Sequence, residues 1–273
     1  MARLIDSLPE PSKILEKDVI VMSSSRMGTF SLYQAMQMLG YKPYRMYEVV
    51  HQGITHMQLL KEAFDCKYSG AGKPYGKAEF DKWMANYNVI IEIPQWFPEE
   101  FLSFYPDAKF ILTERENDAW VRSLNNAAIP LFTMTKKFPL TWIRLIDTFI
   151  ENFAELNASM ENACYLGYGC ESEMGMEKAI ERRLEVSAMT KSRIPKQQLL
   201  VCRLEDGFGW EQICPFLGKE IPKQRYPRGN APKEFEATLK GLLAPALRKS
   251  AAIVVTVVLM PLIAAGWWWY WKQ

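Results

Sequence analysis

The feature that most constrains the fold is a junction near the start of the chain. Val19-Ile20-Val21-Met22 is a short, wholly apolar run rich in β-branched residues, the pattern of a strand buried on both faces. Ser23-Ser24-Ser25-Arg26-Met27-Gly28 follows at once. From Thr29 to Leu39 apolar residues then recur at helical spacing (Leu32, Ala35, Met36, Leu39), until Gly40 stops the helix. Further buried strands are predicted at Val89–Ile93, ended by Pro94, at Lys109–Thr113, and at Leu199–Cys202. Helices are predicted around Asp118–Asn125 and in the long middle, where Trp142, Ile146, Phe149, Phe153 and Leu156 mark one face. Short buried strands alternating with helices imply an α/β fold of three layers, a parallel sheet covered on both faces. Ligands of such sheets bind at the carboxyl ends of the strands.

The other end of the chain reads differently. Ala251 to Trp271 is a run of 21 residues without a charge. As a helix it would be about 31 Å long, close to a bilayer core of about 30 Å. Arg248 and Lys249 precede it, and Trp267, Trp268, Trp269, Tyr270 and Trp271 close it. Basic residues on one flank and aromatic residues on the other fit a transmembrane helix whose main domain, residues 1–245, lies in the cytosol. The alternative is an apolar helix docked on the domain, which would have to bury that aromatic cluster. The first residues, with prolines and acids among them, do not read as a secretory signal.

Composition excludes several classes. Net charge is +2, with no Lys/Arg-rich run, so nucleic acid is not an expected partner. Five cysteines in irregular positions and two histidines indicate neither a disulfide framework nor a metal site.

Two loops carry chemistry. Ser25, Arg26, Gly28 and Thr29 sit between strand and helix, where backbone N–H groups and the helix dipole favour an anion. The lysine of a GxxxxGK nucleotide loop is missing, so ATP hydrolysis is not favoured. After the third strand come Arg115 and, eight residues on, Ser123, which could reach an anion beside the first loop.

Together these segments resemble the fungal-type sulfotransferase-like P-loop family, within the superfamily that uses 3′-phosphoadenosine 5′-phosphosulfate (PAPS). Ser25-Arg26-Met27-Gly28-Thr29-Phe30-Ser31-Leu32 is similar to that family's R-T-G-T-x-S-L loop. Pro43-Tyr44-Arg45-Met46-Tyr47-Glu48-Val49 is similar to its Y-H-M-x-E-V segment. Ile91-Glu92-Ile93-Pro94 is similar to an acid-x-Pro strand end. Ile111-Leu112-Thr113-Glu114-Arg115 through Trp120 and Ser123 is similar to its I-L-T-x-R element. Trp210 to Gly218 and Tyr226-Pro227-Arg228-Gly229-Asn230 are similar to its W-x-x-I/L-C-x-F-L-G and F/Y-P-R-x-N. The resemblance implies a P-loop-type α/β domain in which PAPS, or its product 3′-phosphoadenosine 5′-phosphate (PAP), is held without metal. Ser25, Arg26, Gly28, Thr29, Phe30 and Ser31 would hold the 5′-phosphosulfate, and Arg115, Ser123 and Arg228 the 3′-phosphate. Arg26 would also stabilise the leaving group, and Glu92, or else Glu48, would act as base toward a small, lipophilic hydroxyl acceptor.

Two positions depart from the pattern. Met27 stands where the family has threonine, and a thioether gives phosphate no hydrogen, unless that side chain faces the core. Arg45 replaces a histidine, which removes a candidate base. The rival reading is therefore a protein that keeps the fold without the catalysis. It would be repurposed in a secondary-metabolite pathway or serve as a membrane-bound nucleotide-binding module.

Overall fold

The computed structural model describes residues 3–228, 231–256 and 260–272. Five strands form one sheet: β1 (Val19–Val21), β2 (Pro43–Tyr44), β3 (Val89–Ile91), β4 (Lys109–Glu114) and β5 (Leu199–Arg203). All are parallel, in the order β2-β3-β1-β4-β5. β1 is central, with Val21 in register with Ile91 on one side and Ile111 on the other. The pleat sends Val19, Val21, Val89, Ile91 and Ile111 into one core, covered by α1 (Thr29–Met38) and the helix Trp210–Leu217. Ile20, Ile90, Phe110 and Leu112 point the other way. There they meet the helix Ile54–Tyr68 together with α2 (Asn117–Met134), α3 (Thr148–Tyr165) and α4 (Glu173–Arg193).

Two local differences from the sequence reading have clear causes. β2 is only two residues long and begins with Pro43; a proline, lacking the N–H, is tolerated because β2 is an edge strand. The stripe from Trp142 to Leu156 does not lie on one helix. The Asp147 side chain accepts the Ile150 N–H at 3.2 Å and starts α3 there. Trp142 and Ile146 precede that cap and are 71% and 44% exposed.

The expected transmembrane helix over residues 251–271 is not found. Among the described residues no helix is long and apolar enough to cross a membrane. A helix runs from Ala231 to Val254 and takes up only the first four residues of the uncharged run. That helix carries Lys233, Glu234, Glu236, Lys240, Arg248 and Lys249 along its length. It is tied to the domain, with Leu243 and Ala246 packed against Leu140, Ile143 and Ile150 and Lys249 Nζ 3.5 Å from Asp147 Oδ2. Residues 257–259 of the expected span lie outside the described residues. The last helix, Met260–Tyr270, has 11 residues, about 16 Å of length against a bilayer core of about 30 Å. The reading of a single-pass membrane protein with a cytosolic main domain is therefore withdrawn.

One buried charge near β1 gives the fold a pH signature. Lys17 is 3% exposed, and among the described residues its ammonium is satisfied only by the Leu15 and Met84 carbonyls, at 2.8 and 3.1 Å. Burial lowers its pKa from 10.5 to about 8. Below pH 8 the amine is charged in both folded and unfolded chains, and its burial is a constant cost. Between pH 8 and 10.5 the unfolded chain keeps the proton and the folded one gives it up, so stability rises with pH. Lys17→Met lacks this gain. Denaturant titrations at pH 7.5 and pH 10 should show wild type improving relative to the variant by on the order of 2 kcal/mol. Parallel profiles would show that Lys17 does not titrate in this window.

Candidate active site

β3, β1 and β4 are neighbours and parallel, so the chain leaves all three at the same edge of the sheet. The three exits carry Glu92, the loop Ser23–Gly28, and Arg115. A cavity of about 730 Å³ opens where they meet.

The loop after β1 is pinned to β4 at both ends. The Thr113 N–H donates to Ser23 Oγ at 2.7 Å, and Thr113 Oγ1 donates to the Met27 carbonyl at 2.6 Å. Trp120 Nε1 holds the middle through the Ser25 carbonyl at 3.0 Å. Arg26 and Gly28 take left-handed backbone, with φ of 68° and 77°. At Gly28 a Cβ would sit 2.8 Å from Leu204 Cδ1 and 3.2 Å from Phe208 Cζ, so a side chain there would have to displace its neighbours as well as adopt a left-handed backbone. No side chain among the described residues caps α1, which leaves the N–H groups of its first turn open toward the cavity. That is the arrangement anions occupy at helix starts.

The charge in the cavity is one-sided. Among the described residues, Arg26, Arg45, Arg115, Arg182 and Arg183 line it against a single carboxylate, Glu92. Arg26 Nε donates to Ser123 Oγ at 3.1 Å. Arg115 Nη1 donates to the Arg26 carbonyl at 2.9 Å, and Arg183 Nη1 to the Arg115 carbonyl at 3.1 Å. Arg183 lies over the Trp120 ring, 4.8 Å from its centroid. Burial pulls the pKa of Arg26 down, with Glu92 opposing and Arg115 and Arg45 adding to the fall. Burial likewise lowers that of Arg183. The charged state of this wall is thus costly until an anion arrives.

Glu92 is 2% exposed and, like Arg26, has positive φ, at 69°. Its Oε1 accepts from Thr29 Oγ1 at 2.6 Å and from Arg45 Nη2 at 3.3 Å. Both donors sit on the same oxygen, so Oε2 is left without a donor among the described residues. Arg45 itself is stacked against Phe30 and Tyr33, 5.4 and 5.6 Å from their centroids.

Residues 18–235 match the sulfotransferase domain family. The chain belongs to that family. A relative, Ava biosynthesis cluster protein M of Aspergillus versicolor, is 30% identical over 214 residues, covering 77% of this chain and 79% of the relative. A sulfotransferase from Alicyclobacillus acidocaldarius of known crystal structure is 13% identical, with a TM-score of 0.43, covering 88% of this chain and 96% of that one.

In this sulfotransferase domain, Ser25, Arg26, Gly28, Thr29, Phe30, Ser31, Glu92 and Arg115 all line one cavity. Ser123 stands behind the wall as the partner of Arg26. Glu48 also stands behind it. Its Oε1 accepts the Tyr33 hydroxyl at 2.5 Å and its Oε2 the Arg45 N–H at 3.0 Å. Burial raises its pKa, and those hydrogen bonds oppose the rise. Glu48 holds the Arg45 segment in place and is not among the residues lining the cavity. Arg228 is exposed on the surface, away from the cavity lining.

Arg182 and Arg183 were missed by the sequence reading. Their signal is a gap: the buried stripe of α4 runs Gly175, Ala179, Val186, Thr190, and the turn skipped between Ala179 and Val186 is where the two arginines sit.

Met27 does not face the cavity. Its side chain is 2% exposed and packed in the main core, and it is the Met27 carbonyl that faces Thr113. Met27→Thr would put a smaller side chain with a hydroxyl into a hydrocarbon environment. We expect a loss of roughly 2–4 kcal/mol of stability with PAP affinity unchanged within twofold, by denaturant titration and calorimetry. A gain in PAP affinity would mean that the side chain reaches the cavity after all.

Proposed function

We propose that this protein is a PAPS-dependent sulfotransferase acting on a hydroxyl of a small, mainly apolar metabolite. The observation that carries the reading is that one cavity contains both the anion-binding loop with its arginines and the Glu92 carboxylate with one oxygen free. PAPS supplies the sulfuryl group. The open N–H groups of Gly28–Ser31, with Ser25 and Arg26, would hold the 5′-phosphosulfate and steady the charge that builds on the leaving phosphate. Arg115, with Arg183 beside it, would hold the 3′-phosphate, while Ser123 would position Arg26 from behind the wall. Glu92 takes the acceptor hydroxyl proton on Oε2, while Thr29 and Arg45 fix the carboxylate through Oε1. Because its relative is named for a biosynthesis cluster, we infer an acceptor from secondary metabolism.

Arg115→Ala removes a cation from the cavity and also frees the Arg26 carbonyl. PAP affinity in calorimetry should fall about tenfold to a hundredfold, matching the roughly 1.5–3 kcal/mol of a charge-assisted contact. Unchanged affinity would take Arg115 out of the site.

A specific observation also favours the non-catalytic reading: the Arg45 guanidinium sits 3.3 Å from Glu92 Oε1, pairing with the carboxylate at the position where the family has a histidine. Arg45→His discriminates between the two. On the catalytic reading, turnover of labelled PAPS is measurable in wild type and changes severalfold in the variant. If neither protein turns over PAPS while both bind PAP, the domain is a nucleotide-binding module.

A further inference from the structure

α4 brings two consecutive arginines to the cavity, and their side chains part at once. Neighbouring residues of a helix point about 100° apart. Arg183 turns to the exit of β4, where it meets the Arg115 carbonyl, the Asn117 side chain and the Trp120 ring. Arg182 turns to the exit of β3. Its Nη2 donates to the Tyr68 hydroxyl and, at 3.5 Å, to the Trp96 carbonyl. Its guanidinium lies over the Tyr68 ring, 5.1 Å from the centroid. Trp96 ends the short turn Ile93–Trp96 that follows Glu92. Arg183 thus belongs to the side of Arg115, and Arg182 to the side of Glu92.

Arg182 is half-buried and lines the cavity together with Trp96 and Cys164. Its charge reaches Cys164: burial raises the pKa of that thiol, and Arg182 opposes the rise. Among the described residues every partner of the Arg182 guanidinium is neutral, being a phenol, a carbonyl and a ring face. Glu99 and Glu100 sit on the helix Pro98–Phe104, which packs against α4. Both are paired with Lys67, at 2.9 and 2.6 Å, and neither lines the cavity. An arginine keeps its charge at any ordinary pH. A half-buried cation positioned by neutral groups is a place for an anion brought in from outside.

We propose that Arg182 sets the specificity of the acceptor site by pairing with a carboxylate of the acceptor. The acceptor is then a hydroxy acid with a mainly hydrocarbon body. Its carboxylate meets Arg182, its body lies against Leu131, Phe153 and Met160 of the cavity wall, and its hydroxyl faces Glu92. This rests on the sulfotransferase reading above, in which Arg115 and Arg183 serve the nucleotide and leave Arg182 to the acceptor.

Two probes that differ in charge test this. 6-Hydroxy-2-naphthoate and its methyl ester share the ring system and the hydroxyl. Each is titrated by calorimetry into the full chain saturated with PAP, which keeps the probe off the arginines of the nucleotide. Wild type should bind the acid about tenfold tighter than the ester. Arg182→Gln should bind the two alike and keep its PAP affinity within about twofold. Arg182→Lys, which retains the charge, should retain a preference of about threefold. Equal affinity for acid and ester in wild type overturns the proposal, as does a preference that survives in folded Arg182→Gln. Loss of the preference in folded Arg182→Lys overturns it as well, because the effect would then follow the hold on Trp96 and not the charge. So does a tenfold fall of PAP affinity in Arg182→Gln, which would assign the arginine to the nucleotide. The same titrations without nucleotide separate the two levels. Wild type that prefers the acid through Arg182 but does not bind PAP refutes the sulfotransferase reading and leaves the carboxylate site standing.

Discussion

Arginine side chains resting on the backbone carbonyls of other arginines hold this site together. Arg183 donates to Arg115, Arg115 to Arg26, and Arg26 in turn to Ser123. The chain of bonds crosses from α4 to the exit of β4, then to the loop after β1, and returns to α2. Each link satisfies donors of a guanidinium with a neutral partner. It therefore fixes the position of the charge without cancelling it. Trp120 under Arg183, and Phe30 with Tyr33 around Arg45, do the same through their ring faces. Loop geometry and positive potential are thus one construction. A change that loosens a loop also moves a charge, and removing a charge also frees a carbonyl.

This explains which parts of the molecule were legible in sequence. β1, β3, β4 and β5 were, because strands buried on both faces must be continuous apolar runs. So was the loop of Ser25 to Ser31, because a strand that ends in small polar residues and glycine before a helix has few structural alternatives. Arg45, Arg182 and Arg183 are different. An arginine in a helix or at an edge strand is ordinarily solvated, and only the packing of α4 and α1 around the sheet brings these three to the cavity. Arg228 is the converse case. Its motif reads well, yet the described chain leaves it exposed on the surface.

The tail illustrates a further limit of pattern. Hydropathy over Ala251–Trp271 counts charges within the run, but a helix is defined by where its hydrogen-bonded turns begin and end. Here the Ala231–Val254 helix starts in a highly charged stretch and docks through Leu243 and Ala246 before the uncharged residues are reached. Met27 follows the same logic. Its neighbours Arg26 and Gly28 line the cavity, but the backbone turn through Arg26 rolls its side chain into the core, so a family threonine could be replaced without altering the cavity wall.

Glu92 is where these constraints converge. Its backbone has positive φ, a conformation that costs a residue with a side chain on the order of 1 kcal/mol or more. Its carboxylate is almost wholly buried. Neither would persist in a strand end that merely needed a turn, since glycine or asparagine there would avoid both costs. The conformation turns Glu92 off the line of β3, where Thr29 from α1 and Arg45 from the segment after β2 meet the same oxygen. Three elements on different strands are locked together by one carboxylate oxygen. The second oxygen has no such duty: it has no donor among the described residues, and the lock between the elements does not run through it.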